Sequence, residues 1–231
     1  YCGQIRYVDD MLCKVIDKLE EKKILNNTIV IFWSDHGEFL GDYGVTHKQL
    51  AFYECLIKIP LLIFDPTGSL KPGDFRVFTE AMDVMATIFD IIGLPQVKGS
   101  RAQSLVSKNY KARVDVFAEG GLYFQTPQKP FNNYVLKAPH DPSQWGPGAM
   151  IRNKNWKLCV YCDDRGELYD IKKDPFEMNN LFDDSEYTDI KTRMMHRLIQ
   201  RQTCMGQAPE LLPMFRSDFD YENINCLKQR N

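Results

Sequence analysis

The chain lacks a long uninterrupted apolar run: no stretch approaches the ~20 consecutive apolar residues that a membrane-spanning helix needs. It also lacks an excess of one charge, since 29 basic and 31 acidic residues leave a net charge of −2. This balance gives no electrostatic reason to expect nucleic acid or an anionic membrane surface as a partner. The chain does not start with methionine and has no signal peptide, which we expect of a fragment of a longer protein.

Cysteines in a disulfide framework are also absent. The seven cysteines are an odd number without regular spacing, a usage that leans toward a reducing, cytoplasmic compartment while leaving the localisation unknown. Cys159 and Cys162 could form half of a zinc site or a redox pair, but no second pair and no histidine cluster accompanies them. Their surroundings are typical of a strand, in which residues three apart point to opposite faces. The pattern therefore predicts two structural thiols.

What is present is an alternation of helical and strand patterns in the first half of the chain. Residues 4–23 carry apolar side chains at the spacing of one helical face, and residues 28–33 follow as a β-branched and aromatic strand. A helix that leads into a buried parallel strand is half of an α/β repeat. Residues 57–64 form a second predicted strand, and residues 79–92 form a helix that stops at Gly93. A short helix at 50–55 and a strand at 114–118 complete this half.

The second half changes to short strands. Residues 123–148 are rich in Pro, Gln, Asn and Gly and are either a long functional loop or a linker. Strands joined by hairpin turns and then one helix suggest a small antiparallel subdomain beside the main sheet. The predicted strands are 149–153, 156–162 and 166–171, and the helix is 185–203. We therefore predict a core at 1–145, a sheet-and-helix subdomain at 146–205 and a surface tail at 206–231.

Candidate chemistry lies at the end of the first predicted strand, in residues 34–37. In open α/β sheets, ligands bind outside the carboxyl ends of the strands. Asp35 offers a hard carboxylate oxygen and His36 an imidazole nitrogen, which are two ligand types for a metal ion. Gly37 lets the backbone turn tightly behind them. The alternative is that Asp35 caps the following turn and that His36 is a core imidazole.

The stretch 34–48 resembles the sulfatases of the alkaline-phosphatase superfamily. The resemblance runs from Ser34 to Gly44, includes Lys48, and continues with Tyr53-Glu54 and residues 59–63. It extends through further patches in the family's order along most of the chain. These patches are Tyr1-x-Gly3-x-Ile5, Met11-Leu12, Leu19-Glu20-Glu21, Asn27-Thr28, Met150-Ile151-Arg152, Trp156-Lys157-Leu158, 167–171, Asp174-Pro175 and 179–181.

The resemblance implies an α/β fold: the carboxyl-terminal part of an alkaline-phosphatase-like mixed sheet flanked by helices, plus a small antiparallel sheet with one packed helix. It also implies that Asp35 and His36 are metal ligands and that Lys48, unless it is a solvated surface lysine, contacts the sulfate. His47 is a candidate general acid, although the family's usual leaving-group histidine lies upstream. His140 and the aromatic residues of its loop are candidates for the substrate pocket, with a solvated loop as the alternative.

Parts of the family pattern are missing from this chain. Sulfatases use a formylglycine nucleophile, made from Cys or Ser in a Cys-x-Pro/Ala-x-Arg sequence, and two further aspartate ligands, all upstream of where the chain begins. Cys2 and Arg6 match the outer residues of that motif, but Gln4 stands where Pro or Ala is needed. Tyr43 also departs from the histidine that relatives often have. We expect Ca²⁺, with Mg²⁺ or Mn²⁺ as alternatives, and poor binding by this chain alone, because two ligands cannot fill a site of about six to eight oxygens.

Other charged residues are predicted to be structural. We expect Glu54 to anchor its loop rather than to serve chemistry, and Arg152 and Lys157 to support packing or hairpin stability in the small sheet. His196 lies on the polar face of the last predicted helix, so we expect it on the surface.

The resulting hypothesis is the carboxyl-terminal segment of a sulfatase that hydrolyses sulfate monoesters and is inactive by itself. The alternatives are a phosphonate monoester or phosphodiester hydrolase of the same superfamily, and a non-catalytic remnant that acts as a binding module. The ester, small molecule or carbohydrate, cannot be named because the discriminating loops follow no general code. Missing strands would expose an apolar sheet edge, so we expect a missing amino-terminal segment, a companion chain or a homo-oligomer as partner.

Overall fold

The computed structural model describes residues 1–44, 48, 51–68, 70, 72–74, 76–120, 147–162 and 164–203. The chain divides into two compact units. The first contains Tyr1–Arg76 and Asp115–Ile199, and the second contains Val77–Val114 and the residues from Gln200 onward. The division predicted from sequence, at 145 and 205, stays a prediction.

The first unit opens with a long amphipathic helix, α1, Cys2–Glu21. The helix forms because its apolar residues repeat at helical spacing, and the ion pair between Lys18 and Glu21 (2.7 Å) supports its last turn. No residue of α1 is buried. The chain then turns through a 3₁₀ helix, Leu25–Asn27, and enters the first strand. The predicted helix at 4–23 is confirmed.

The first two strands form an antiparallel pair. Strand β1, Val30–Trp33, pairs with β2, Leu61–Phe64, with Val30 opposite Phe64 and Trp33 opposite Leu61. Within the described ranges β1 has no parallel neighbour, so the prediction of a buried parallel strand is wrong for this pair. The apolar run predicted a strand, but it carries no information about the direction of the neighbouring strand, which depends on how the intervening chain returns.

Between these strands lies one turn of helix, α2, Glu54–Ile57. The predicted short helix at 50–55 thus begins and ends later in the chain. Strand β2 begins directly after Pro60. Proline cannot donate a hydrogen bond to a neighbouring strand, so it is typical of the start of a strand.

A four-stranded antiparallel sheet completes the first unit, with its strands in chain order. In the turn between the second and third strands of this sheet, the side-chain oxygen of Asn153 accepts hydrogen bonds from the backbone N–H groups of Asn155 (2.9 Å) and Trp156 (2.8 Å). This local closure explains why the Asn-rich turn predicted a hairpin. The strands are β3, Asp115–Gly120; β4, Gly148–Asn153; β5, Trp156–Tyr161; and β6, Gly166–Asp170.

One face of this sheet packs against the helix α4, Thr188–Thr203. Their shared core consists of buried apolar side chains from three strands and the helix: Ala149, Ile151, Leu158, Leu168, Met194 and Leu198. The burial of these apolar side chains is the main stabilising contribution to such a subdomain. The predicted combination of a small antiparallel sheet with one packed helix is confirmed, and His196 is exposed as expected.

The second unit contains the helix α3, Ala81–Ile91, which begins with a capping box between Glu80 and Asp83. Asp83 is fully buried, and the guanidinium of Arg113 donates hydrogen bonds to its carboxylate, at 3.0 Å from Nε and 2.5 Å from Nη2. Gly93 follows the helix with φ of 72°, the left-handed conformation that favours glycine after a helix. The predicted helix and its end are therefore confirmed. In the described part of the chain, no helix is long and apolar enough to cross a membrane.

Candidate functional site

The carboxyl end of β1 carries Asp35 and His36 in a tight loop. The hydroxyl of Ser34 donates a hydrogen bond to the backbone oxygen of His36 (2.7 Å), and the backbone N–H of His36 donates to Oδ1 of Asp35 (3.0 Å). The Asp35 side chain is 83% exposed. The hydrogen bond from His36, together with the charges of His36 and Lys48, holds the pKa of the Asp35 carboxyl below its ordinary value. Asp35 is therefore available as an ionised ligand.

The histidine has a defined tautomer. Its Nδ1 lies 2.7 Å from the backbone oxygen of Gly37, and because a carbonyl only accepts, Nδ1 must carry the proton. In the neutral ring, Nε2 then presents a lone pair. That atom lies 3.5 Å from Oδ2 of Asp35, a separation at which a protonated His36 pairs with the carboxylate and at which the neutral ring and the carboxylate could bind one cation. Metal-binding histidines are oriented by such second hydrogen bonds.

The other predicted site residues are placed in part. Lys48 is exposed, and its charge contributes to the lowered pKa of Asp35. His47 and His140 lie outside the described residues. Across the described ranges, no group of three or more His, Cys, Asp or Glu side chains could hold a metal ion. Asp35 and His36 are therefore at most two ligands of a metal site, and their role as ligands stays a prediction.

The loop of Asp35 and His36 rests directly on α2. The backbone N–H of Gly37 donates to the oxygen of Leu56 (2.7 Å), and that of Glu38 donates to the oxygen of Cys55 (3.2 Å). A methyl group on Gly37 would collide with the Cys55 carbonyl. Glycine is required here because the two backbones approach so closely.

Helix α2 is in turn held by a buried group of charges. The carboxylate of Glu54 accepts hydrogen bonds from Nε of Arg152 (3.0 Å) and Nζ of Lys157 (3.3 Å). The Lys157 ammonium also donates to the oxygen of Phe52 (2.7 Å), and Oε2 of Glu177 accepts from the backbone N–H of Glu54 (2.7 Å). Burial would raise the pKa of Glu54, but the charges of Lys157 and Arg152 more than offset it and lower the pKa.

These contacts support the interpretation of Glu54 as an anchor and correct the roles expected for Arg152 and Lys157. Both side chains leave the small sheet and bind the segment around Glu54, about a hundred residues away along the chain. Sequence reasoning missed Glu177 altogether. It is fully buried and has φ of 55°, a conformation that costs on the order of 1–2 kcal/mol for a residue with a side chain. Its only signal was the preceding Asp174-Pro175 turn.

An aromatic cluster lies beside this group. The ring of Tyr43 packs at 4.4 Å from the ring of Tyr53 and at 5.8 Å from that of Phe39. The Tyr43 hydroxyl donates to the backbone oxygen of Phe176 (2.8 Å), and burial raises its pKa well above the ordinary range. Tyr43, the departure from the family pattern, thus serves as a packing and tethering residue in this structure.

Cys159 and Cys162 behave as the strand pattern predicted. Cys159 is fully buried, whereas Cys162 is exposed. Burial raises the pKa of the Cys159 thiol well above its ordinary value, so the thiol is neutral and unsuited to metal binding. Both residues are free thiols, one buried and the other exposed.

Glu167 is a buried carboxyl whose pKa is affected by the charge of Glu177, and its replacement tests this effect. It is 5% exposed, and burial, followed by the charge of Glu177, raises its pKa from 4.5 to about 7. A carboxyl whose pKa is higher in the folded state stabilises the fold below pH 4.5, and that contribution is lost as the pH rises through 7. We therefore expect Glu167→Gln to increase the free energy of unfolding at pH 8 by roughly 1–3 kcal/mol and to change it little at pH 4.5.

Chemical denaturation at several pH values measures this difference. Glu119→Gln is the matched control, because Glu119 lies on β3 with an exposed side chain and should show no such pH dependence. A difference between Glu167→Gln and the unmodified chain that stays constant from pH 4.5 to pH 8 would contradict the prediction.

Comparisons with known proteins agree with the resemblance in sequence. The sequence model of the family described as Sulfatase matches residues 1–94. The chain is 27% identical over 208 residues to an N-acetylglucosamine-6-O-sulfatase of Bacteroides thetaiotaomicron, covering 87% of the chain and 35% of that protein. It is 29% identical over 188 residues to a choline-sulfatase of Rhizobium meliloti, covering 78% of the chain and 32% of that protein.

A solved structure shows the same fold. The phosphonate monoester hydrolase of Agrobacterium radiobacter superposes with a TM-score of 0.71 at 24% sequence identity, covering 87% of this chain and 40% of that one. The chain spans about a third of the length of the curated relatives it matches.

Proposed function

We infer, from the premise that this chain belongs to the sulfatase family, that it supplies part of the active site of an enzyme that hydrolyses sulfate monoesters. The observation that carries the proposal is the pair Asp35 and His36. Their Oδ2 and Nε2 atoms lie 3.5 Å apart within the segment that matches the family, and the ring orientation leaves Nε2 with its lone pair. This arrangement suits a divalent cation.

In this proposal Asp35 and His36 hold a Ca²⁺ ion, with Mg²⁺ or Mn²⁺ as alternatives. When bound, such an ion polarises the ester and lowers the pKa of the attacking hydroxyl. The nucleophile, a formylglycine, and the remaining metal ligands come from sequence outside this chain. The ammonium of Lys48 opposes the negative charge on the sulfate oxygens, and His47 and His140 are candidates for proton transfer and for substrate contact. The chain by itself should be inactive.

The second candidate is a phosphonate monoester or phosphodiester hydrolase. It is favoured by the fold of the Agrobacterium hydrolase and by the imidazole ligand at His36, which suits Mn²⁺ as well as calcium. The two activities share a metal site and differ in the charge and geometry of the group transferred. A third possibility, from a different class, is a non-catalytic remnant that binds a partner.

The experiment that tests the proposal starts from the native polypeptide. Intact mass and amino-terminal peptides would show whether a Cys-x-Pro/Ala-x-Arg sequence precedes Tyr1 and whether its cysteine has become an aldehyde. The purified polypeptide is then assayed with an aryl sulfate and an aryl phosphonate at equal concentration. Faster hydrolysis of the sulfate supports the sulfatase, and the reverse order supports the second candidate. A polypeptide that begins at Tyr1, has no companion chain and hydrolyses neither ester overturns both.

Exposed apolar side chains of the first unit are an argument that this chain has a binding partner. Helix α1 has no buried residue, and the β1–β2 pair exposes large apolar side chains. The exposed residues of these elements are Ile5, Tyr7, Val8, Val15, Trp33, Leu62 and Phe64. Exposed apolar surface of this kind is typical of an interface. We propose that a further sulfatase segment, a companion chain or a second copy covers it.

The isolated chain should therefore self-associate at micromolar concentration and bind a hydrophobic dye. Leu62→Asp should weaken both, because Leu62 is 61% exposed on β2 and a charge there opposes burial. Phe176→Asp, at a side chain 73% exposed on a different loop, is the control and should leave both unchanged. Analytical ultracentrifugation measures the association. A monodisperse monomer that binds no dye would contradict the proposal.

A further inference from the structure

The loop of Asp35 and His36 makes its described backbone hydrogen bonds with a helix that has only one turn. Helix α2 has four residues, far fewer than a helix needs to be stable in isolation. Its position must therefore be set by contacts outside itself. Those contacts include the packing of Leu56 in a buried apolar cluster and the bonds of Arg152 and Glu177 with Glu54. Lys157, a buried side chain of the small sheet, bonds both Phe52 and Glu54.

We propose that Lys157 is the positioning residue of the candidate metal loop, residues 34–38. Its ammonium sets the position of residues 52–57, and the backbone of that segment in turn sets the position of Asp35 and His36. The link to the metal loop rests on the proposed function, whereas the structural coupling itself does not.

The first step is the geometry around the ammonium. The Lys157 side chain has no exposure to solvent. Its Nζ faces three acceptors: the backbone oxygen of Phe52 at 2.7 Å, Oε1 of Glu54 at 3.3 Å, and Oε1 of Glu177. A lysine has three N–H donors and no acceptor; here the ammonium donates hydrogen bonds to Phe52 and Glu54 and forms an ion pair with Glu177. Two of the three partners belong to the segment that carries α2.

The second step is the path from this segment to the loop. Gly37 and Glu38 donate to the oxygens of Leu56 and Cys55, at 2.7 and 3.2 Å. The absence of a side chain at Gly37 lets the two backbones touch. No side chain lies between the two backbones at Gly37 that could rearrange if α2 moved. A shift of α2 must therefore either move the loop or break these two hydrogen bonds.

The third step is the charge balance, which distinguishes positioning from simple stabilisation. A buried ion pair is weak evidence for stability, since well-packed apolar replacements are often equally stable. Here two positive side chains, Lys157 and Arg152, are matched by two carboxylates, Glu54 and Glu177. Lys157→Met alone leaves one carboxylate unmatched. Lys157→Met combined with Glu177→Gln restores the balance, but it removes the donor to Phe52 and Glu54.

The experiment compares amide hydrogen exchange in three forms of the full chain: unmodified, Lys157→Met/Glu177→Gln, and Leu198→Ala. Leu198 lies in the core between α4 and the small sheet, so its replacement lowers stability without touching α2. In the double variant we expect the amides of Gly37 and Glu38 to exchange at least tenfold faster relative to the amide of Leu158. In Leu198→Ala we expect that ratio to stay within about twofold of the unmodified chain. The ring signal of His36 in the NMR spectrum should shift only in the double variant.

The proposal is overturned if the double variant folds and keeps the protection of Gly37 and Glu38, because Lys157 would then serve stability alone. If the double variant does not fold, amide hydrogen exchange in the unmodified chain tests the proposal instead. The amides of Gly37, Glu38 and Glu54 should then show the same equilibrium constant for local opening. Three different opening constants would overturn the proposal. None of these measurements needs metal or substrate. Failure of the native polypeptide to hydrolyse sulfate esters would therefore count against the proposed function and leave this coupling standing.

Discussion

Asp35→Asn should lower kcat/KM for an aryl sulfate by about 10²- to 10³-fold in the native polypeptide, the size of effect seen when one electrostatic group is removed from an active site. Asparagine keeps the shape of the side chain, and its oxygen can still accept the hydrogen bond from the backbone N–H of His36. What it removes is the negative charge, and the affinity of a site for Ca²⁺ depends on the number of charged ligands. The loss should be partly recovered by raising the metal concentration, because the variant weakens binding rather than reshaping the loop.

Asp42→Asn is the matched control for this prediction. Asp42 is an exposed carboxylate in the segment after the same loop, and its replacement should change kcat/KM by less than about threefold. Initial rates at several metal concentrations, with circular dichroism to confirm folding, give the comparison. Equal losses in Asp35→Asn and Asp42→Asn would show that only the overall charge of the segment matters and would contradict a ligand role for Asp35.

Gly37→Ala should destabilise the first unit by roughly 1–3 kcal/mol or more, the range for forcing extra atoms into a packed region. The added methyl group collides with backbone rather than with a flexible side chain. The Cys55 carbonyl that it meets also accepts a hydrogen bond from Glu38. Relief of the collision therefore separates the loop from α2. We expect a lower midpoint of denaturation and, in the native polypeptide, loss of activity at temperatures at which the variant is still folded.

Gly3→Ala separates this effect from the general effect of replacing a glycine. Gly3 lies in α1 with no neighbouring atom close enough to meet a methyl group. Alanine there should stabilise the helix by about 0.5–1 kcal/mol. Thermal denaturation of both variants under the same conditions measures the difference. The close approach at Gly37 would be refuted if the two alanine variants changed stability in the same direction and by the same amount.

The local elements could be predicted from sequence because their signals are local. The helical repeat of α1, the end of α3 at Gly93 and the hairpin at Asn153 each depend on residues within a few positions of one another. The surroundings of Asp35 and His36 are also local, since the group that orients the imidazole belongs to Gly37, the next residue. Their role as metal ligands stays a prediction.

Most helices and strands could be assigned from the sequence, since periodicity suffices for them. The metal-ligand role of Asp35 and His36, which the resemblance implied, stays a prediction. The antiparallel direction of β1 and β2 and the contact between Lys157 and Phe52, 105 positions apart, become apparent in the folded chain. The tertiary structure also raised the pKa of Glu167, because burial beside Glu177 depends on the packed sheet. Such long-range contacts leave no periodic trace in the sequence. Their residue types, a lysine and two glutamates, are ones that usually lie on the surface unless a distant partner neutralises them.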